Sequence, residues 1–283
     1  MKYLSCKKSV KSMRKFMFLL LGVILLLSVS CSNGDKNSTE SSKPIFMLYF
    51  YAYSEDYDSK TLIIDVDFLC NYLSVIPEVT INGNLMTNFD FDDGGIWGNI
   101  DIPYSNTIDY SVSANGKTTS GSITIPQEPY NVICNGVLLE EDSYNYIPAA
   151  NTFNFSWICN NYDYFKYYWD SSYEYLRGYI LDPNITLAAD GSSYYYFDLR
   201  SRNGVLLEPG ATPNVEGEYG NGYVIATCDD LYFTIHVDSE RTENSKLLKP
   251  RISKEERHEE LKEKFNLIIE YNKLHSNNSI VEP

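Results

Sequence analysis

The sequence predicts a mainly β protein: two antiparallel sandwiches in tandem, followed by one C-terminal helix. Three observations predict it. Short runs rich in aromatic and β-branched residues recur between turn signals along residues 45–239. Asn-Gly pairs join several of those runs, and such pairs supply the positive φ angles of tight hairpins. Only after about residue 250 does the apolar spacing change from two to between three and four.

Taken in order, 45–53 and 61–68 are strand-like, 78–82 ends at Asn82-Gly83, and 99–102 stops at Pro103. The clearest hairpin follows, with 107–114 and 117–125 joined by Asn115-Gly116; Ile108, Tyr110 and Val112 alternate with polar residues. Gln127-Glu128-Pro129 marks a boundary, which gives a first sandwich over 45–127 and a second over 130–239. In the second, 130–134 turns at Asn135-Gly136 into 137–139. The strict alternation of Phe153, Phe155, Trp157 and Cys159 places these four on one face. Strand-like runs follow at 162–169, 194–199, 223–228 and 231–237. In the tail, Leu261, Phe265, Ile268, Ile269 and Asn272 recur at helical spacing, and Ser253 with Glu256 matches a capping box, so a helix is expected over 253–275. Its narrow apolar stripe suits packing on its own domain or on a partner helix.

The 283 residues carry a net charge of −15, very unevenly spread. Residues 1–30 hold six cations and no acid, whereas 31–239 hold eight basic and 29 acidic residues. That balance excludes a nucleic-acid binder, which needs a cationic face. The basic start runs into twelve apolar residues, 16–27, too few for a membrane-spanning helix and suited to a signal-peptide core. Small residues then lead to Ser30-Cys31. This pattern resembles the bacterial lipoprotein signal, although Leu27 sits one place earlier than the family's leucine. The resemblance implies removal of 1–30, attachment of diacylglycerol to Cys31, and anchoring in membrane lipid at the cell envelope. Ser32 in place of Asp favours the outer membrane where the organism has one. Residues 31–44 read as a flexible tether. Met13 begins a complete signal by itself, so it competes with Met1 as the start.

The interior Trp and the Tyr-rich strand after it, together with Leu207-Glu208-Pro209-Gly210-Ala211-Thr212, resemble fibronectin type III domains. In that family a Tyr follows this turn closely; here the next is Tyr219. The resemblance implies an immunoglobulin-like sandwich for about 110 residues, and such folds host many functions.

Motifs for catalysis are sparse. No Walker sequence, nucleophile elbow or dinucleotide cradle occurs, and no helix signal follows the glycine-rich run at 217–222. His258-Glu259-Glu260-Leu261-Lys262 lacks the second histidine of the zinc-protease motif and reads as a solvated helix face. Asp90, Asp92 and Asp93 crowd a turn as oxygen ligands of calcium would, without the spacing of an EF-hand; a polar surface turn fits equally. No other cofactor is implied. Cys159 and Cys228 are candidates for a bridge of the immunoglobulin kind, set against free buried thiols. Eight aromatics fall within 162–179. Consecutive strand residues face opposite ways, so Tyr167, Tyr168 and Trp169 must place at least one ring away from the core. A ring there suits a ligand platform. The expectation is therefore a non-catalytic binding or scaffolding lipoprotein whose partner is a neutral glycan or an envelope protein. The alternatives are a carbohydrate-binding surface protein and a glycan hydrolase with paired carboxylates.

Overall fold

The computed structural model describes residues 43–237 and 254–276, apart from positions 55–59, 72–74, 93, 142 and 172–174. The signal, Cys31, the tether as far as residue 42, Asp93 and Ser253 thus lie outside the described residues, while the tether's last two residues are held by the fold: Lys43 Nζ donates to the Gly217 carbonyl at 3.1 Å and the Pro44 carbonyl accepts from Asn221 N at 3.0 Å. Nineteen strands and one helix are described. The first half holds β1 (Ile45–Tyr53), β2 (Thr61–Cys70), β3 (Glu78–Ile81), β4 (Asn84–Leu85), β5 (Phe89–Phe91), β6 (Gly95–Pro103), β7 (Thr107–Ala114) and β8 (Lys117–Thr124). Then come β9 (Tyr130–Cys134), β10 (Val137–Leu138), β11 (Tyr144–Tyr146), β12 (Thr152–Ile158), β13 (Tyr164–Ser171), β14 (Tyr175–Ile180), β15 (Asn184–Ala188) and β16 (Tyr194–Gly204). The chain closes with β17 (Val215–Glu216), β18 (Asn221–Thr227), β19 (Leu231–His236) and α1 (Lys254–Ser276).

The fold is mainly β, with two sandwiches and a terminal helix. The hairpin turns are as the sequence predicts: Asn82-Gly83, Asn115-Gly116 and Asn135-Gly136 all have positive φ at both residues. Two four-stranded sheets, β4-β3-β7-β8 and β10-β9-β12-β15, each cover one half of a single eleven-stranded sheet. Phe46, Leu48, Phe50, Val66 and Phe68 meet Val79, Ile108 and Val112 in the first core. Phe153, Phe155 and Trp157 meet Phe165, Trp169 and Phe197 in the second. Each such ring or aliphatic chain contributes roughly 1.5–3 kcal/mol by leaving water.

The boundary at 127–130 separates the small sheets, but the large sheet crosses it. After the second sandwich is laid down, β18 returns to the first. It pairs in parallel with β1, Ile45 to Tyr51 against Asn221 to Thr227, and antiparallel with the end of β16. Consequently Val215, Tyr219, Val224 and Ala226 belong to the first core, and Tyr219 packs on Phe46 and Phe68. The eleven-residue β16 makes the junction: its start pairs with β19 and its end with β18. At the crossing Gly204 has φ 104°, and a Cβ there would stand 2.1 Å from the Val224 carbonyl oxygen.

The helix lies across the other face of this shared sheet. Leu261, Phe265, Ile268 and Ile269 bury against Met47, Tyr49, Leu69, Tyr223 and Ile225. This explains why β1 is an unbroken apolar run: alternate residues feed the sandwich and the helix interface, so neither face is wet. Glu255 and Glu256 in the first turn, and Lys273 and His275 in the last, complement the helix dipole.

Candidate functional site: a charged cavity beneath the terminal helix

Strand alternation builds the site. On β13, Phe165 and Trp169 enter the sandwich core, so Lys166 and Tyr168 face the helix. On β16, Phe197 and Leu199 enter the core, so Asp198, Arg200 and Arg202 face the same way. Tyr49, Tyr51 and Tyr53 of β1 and Asp65 of β2 extend this polar face. Arg257, Glu260 and Leu261 of α1 close over it, and the loop residues Asp229 and Asp230 complete the wall. The cavity measures about 160 Å³, and the exposed Lys254 stands at its rim.

Its charges are mostly matched in pairs. Lys166 Nζ meets Glu260 Oε1 at 2.8 Å, and the Tyr168 hydroxyl donates to Glu260 Oε2 at 3.1 Å. Arg200 Nε lies 2.6 Å from Asp230 Oδ1, and its Nη2 donates to Asp198 Oδ2 at 3.2 Å. Lys254 and Arg257 share Asp65 at 2.8 and 2.9 Å, and Tyr51 donates to Asp229 at 2.5 Å. Arg202 differs. It is 2% exposed, donates from Nη2 to the Tyr49 hydroxyl at 3.0 Å, and sits over the Tyr49 and Tyr179 rings. Among the described residues no carboxylate pairs with it, and its Nε has no hydrogen-bond partner.

Titration follows from this crowding. Burial, with Arg202 and Arg200 close by, holds the Lys166 ammonium well below its usual value despite Glu260. Burial alone would raise the Glu260 carboxyl; Lys166 and Lys264 more than offset it and hold the group below the carboxylate range. Burial pushes Asp230 up to about 7 against the pull of Arg200, because Asp198 and Asp229 crowd it; Asp198 is raised as well. Burial also raises the Tyr51 and Tyr168 phenols, which stay neutral donors.

The sequence-predicted residues fare unequally. Trp169 is 1% exposed and stacks on Tyr195 in the second core, and Tyr167 packs on the same cluster. Tyr168 does face away from the core, but α1 covers it. The expected exposed platform at Tyr167, Tyr168 and Trp169 is therefore not formed, and only Tyr168 joins the cavity. Exposed rings lie elsewhere: Tyr146 and Tyr194 flank His236 at the sheet edge, 5.3 and 4.4 Å from its ring, and burial lowers that imidazole's pKa.

The calcium reading meets a different use of the same acids. Asp92 accepts the amides of Gly94 and Gly95 at 2.8 and 3.0 Å and pairs with Lys262 of α1, while Asp90 faces solvent. Among the described residues no three His, Cys, Asp or Glu side chains are grouped to hold a metal. The solvated reading of His258 is also corrected. It is 2% exposed, lies 2.8 Å from Asp67 through Nδ1 and packs on Trp97, because Asp65 and Asp67 draw this turn of the helix onto β2. The glycine-rich run at 217–222 clamps β8, with Thr119 Oγ1 bonded to both the amide and the carbonyl of Gly220.

Cys159 and Cys228 are free thiols, as are Cys70 and Cys134. They do not bridge: Cys159 lies just past the end of β12 and Cys228 just past the end of β18, and the Gln127 carbonyl and the Ser201 hydroxyl stand between the two thiols. Cys159 donates to the Gln127 carbonyl at 3.1 Å. Ser201 donates to that same carbonyl at 2.5 Å and lies 3.1 Å from Cys228 Sγ. Burial pushes Cys159 up to about 11 and Cys134 and Cys228 up to about 12.

No protein-family model and no curated protein sequence matches the chain. Among solved structures it is similar to a stretch of domains from titin, at 10% identity and a TM-score of 0.19 over 66% of this chain. It spans 61% of that titin structure, less than two thirds. A cytokine receptor complex is similar at 12% identity and TM-score 0.27, covering 62% of this chain and 92% of that one. The mouse nectin-like molecule 4 ectodomain is similar at 8% identity and TM-score 0.19, covering 71% and 67%. At these scores the likeness carries no weight, and the description of the fold rests on the strand order itself.

Proposed function

We propose that this is a non-catalytic binding protein, tethered to the cell envelope through acylated Cys31, whose ligand site is the cavity between the shared sheet and α1. The anchor is supported by the sequence alone: the basic start, the twelve-residue apolar run, and Ser30-Cys31 before a tether without large apolar side chains. One observation carries the binding part, a cavity lined by the buried Arg202 guanidinium, which pairs with no carboxylate among the described residues. A non-catalytic role fits the engagement of every carboxylate lining that cavity: Asp65, Asp230 and Glu260 by cations, and Asp229 by Tyr51. None is left as a free base opposite a free acid.

Metabolic labelling with radioactive palmitate tests the anchor. Label should enter the wild type and be lost in Cys31→Ala, and label retained in that variant sinks the assignment. A second reading, neutral-glycan binding, is favoured by the exposed Tyr146 and Tyr194 rings beside His236, since sugars stack on such faces.

A further inference from the structure

We infer that the ligand of the cavity is a small monovalent organic acid, its carboxylate received by Arg202. This rests on the cavity being the binding site. Lys166, Arg200, Lys254 and Arg257 each pair with a carboxylate of this face, whereas Arg202, among the described residues, pairs with none. Arg202 instead meets the Tyr49 and Tyr164 hydroxyls, with Lys166 and Arg200 close by, and among the described residues its Nε has no hydrogen-bond partner. Buried charges in proteins are paired, because taking an ion out of water costs several kcal/mol unless an opposite charge offsets it. The missing partner is therefore an anion, and a planar carboxylate matches the guanidinium fork.

The rest of the wall describes the body of the ligand. Tyr49, Tyr51, Tyr53 and Tyr168 supply ring faces, the lining of a site for one compact molecule, while the Tyr51 and Tyr168 hydroxyls are held by Asp229 and Glu260. The volume, about 160 Å³, lies below the ~300–1,000 Å³ of ordinary ligand pockets, so one small acid fits and an oligomer does not enter whole. One unmatched guanidinium matches the single charge of a carboxylate, and a phosphate dianion would bring one negative charge more than it offsets. Three of the eight basic residues of the strongly acidic stretch 31–239, Lys166, Arg200 and Arg202, converge at this point.

The experiment is calorimetric titration of the full chain in detergent with galacturonate, galactose, acetate and inorganic phosphate. Galacturonate and acetate should bind, and galactose should bind at least tenfold more weakly than galacturonate. Arg202→Met should abolish galacturonate binding while the thermal midpoint of the unliganded protein stays the same or rises, because an uncompensated buried charge is gone. Arg202→Lys, which keeps the charge, should retain weakened binding and the preference for the acid, and it serves if Arg202→Met fails to fold. Galactose binding as tightly as galacturonate, with both lost in Arg202→Met, overturns the acid and leaves the cavity as a site. Phosphate binding as tightly as acetate overturns the monovalent assignment. Galacturonate binding unchanged in Arg202→Met overturns the cavity itself, and no binding by any of the four probes overturns the inference.

Discussion

Removing Glu260 should cost far more stability than removing the lysine it pairs with. The Lys166 side chain is 5% exposed and that of Glu260 16%, so neither charge is well solvated. In Glu260→Leu the Lys166 ammonium is left beside Arg200 and Arg202, both buried and both repelling it. Breaking a buried pair in this way costs about 3–5 kcal/mol. In Lys166→Met the orphaned carboxylate keeps Lys264 at 3.0 Å, Arg177 at 3.7 Å and the Tyr168 hydroxyl, and the repulsion of Lys166 by Arg202, Arg200 and Lys264 disappears. The loss should then be about 1–2 kcal/mol, the range for a weakened charge-assisted hydrogen bond. The double variant restores charge balance with apolar side chains of similar volume and should recover most of the loss, as buried pairs replaced whole often do. Urea unfolding of all four proteins at pH 7 gives the cycle. Equal losses in the two single variants, or a double variant no better than Glu260→Leu, would refute the claim that neighbouring guanidinium groups make the lysine the costlier orphan. The sign with pH follows. The Glu260 carboxyl is lowered, so its contribution is full above about pH 4.5 and is lost as pH falls toward the lowered value.

Three further outcomes are expected. Trp169→Ala should destabilise by about 3–5 kcal/mol, as large buried aromatics do, whereas Tyr194→Ala on the exposed edge should change urea stability by less than about 0.5 kcal/mol; a small effect at Trp169 would return it to the surface. Thiol titration of unreduced, urea-unfolded mature protein should count four reactive cysteines, and the native protein should react slowly at pH 7 because burial keeps Cys134, Cys159 and Cys228 protonated; a count of two would reinstate a bridge. Asp230 is raised, so its contribution is present below about pH 4 and declines as pH rises through about 7; Asp230→Asn should flatten the urea midpoint between pH 5 and 8, and an unchanged slope would contradict the assignment.

What the sequence made legible was local. Asn115-Gly116 specifies its own turn, Phe153 to Cys159 alternate within one strand, and Leu261, Phe265, Ile268 and Ile269 mark a helix face by spacing alone. The parallel pairing of β18 with β1 joins residues some 176 positions apart (Ile45 with Asn221) and leaves no local pattern, so the returning strand was assigned to the wrong core. Strand alternation does put Tyr168 opposite Trp169, but the opposite face is not solvent, because the helix some 90 residues later covers it. Two signals pointed there. The unbroken apolar run of β1 implied cover on both faces, and Asp198-x-Arg200-x-Arg202 put charges at strand period inside an aromatic strand. His258 was misread for the same reason, since its partner Asp67 is distant in sequence.

The charged face also bears on why the cavity exists at all. This chain fills two sandwich cores with Phe, Trp, Val and Ile, so apolar packing beneath α1 was open to it. The lower part of the same helix does pack that way, through Phe265, Ile268 and Ile269 on Met47 and Tyr223. Toward its start the helix instead meets Asp65, Asp67, Lys166, Arg200 and Arg202, five charged residues each at most 4% exposed. A buried ionic cluster is weak stabilisation compared with apolar packing of equal volume. Stability therefore does not account for the change of character along one helix. Two uses of fixed charge do: setting the seat of α1 on the sheet, and presenting a guanidinium to a ligand. The first explains the paired groups, Lys254 and Arg257 with Asp65, His258 with Asp67, Lys166 with Glu260. It does not explain Arg202, which pairs with no carboxylate among the described residues and lies on the sheet side of the cavity, where the anion of a ligand would meet it.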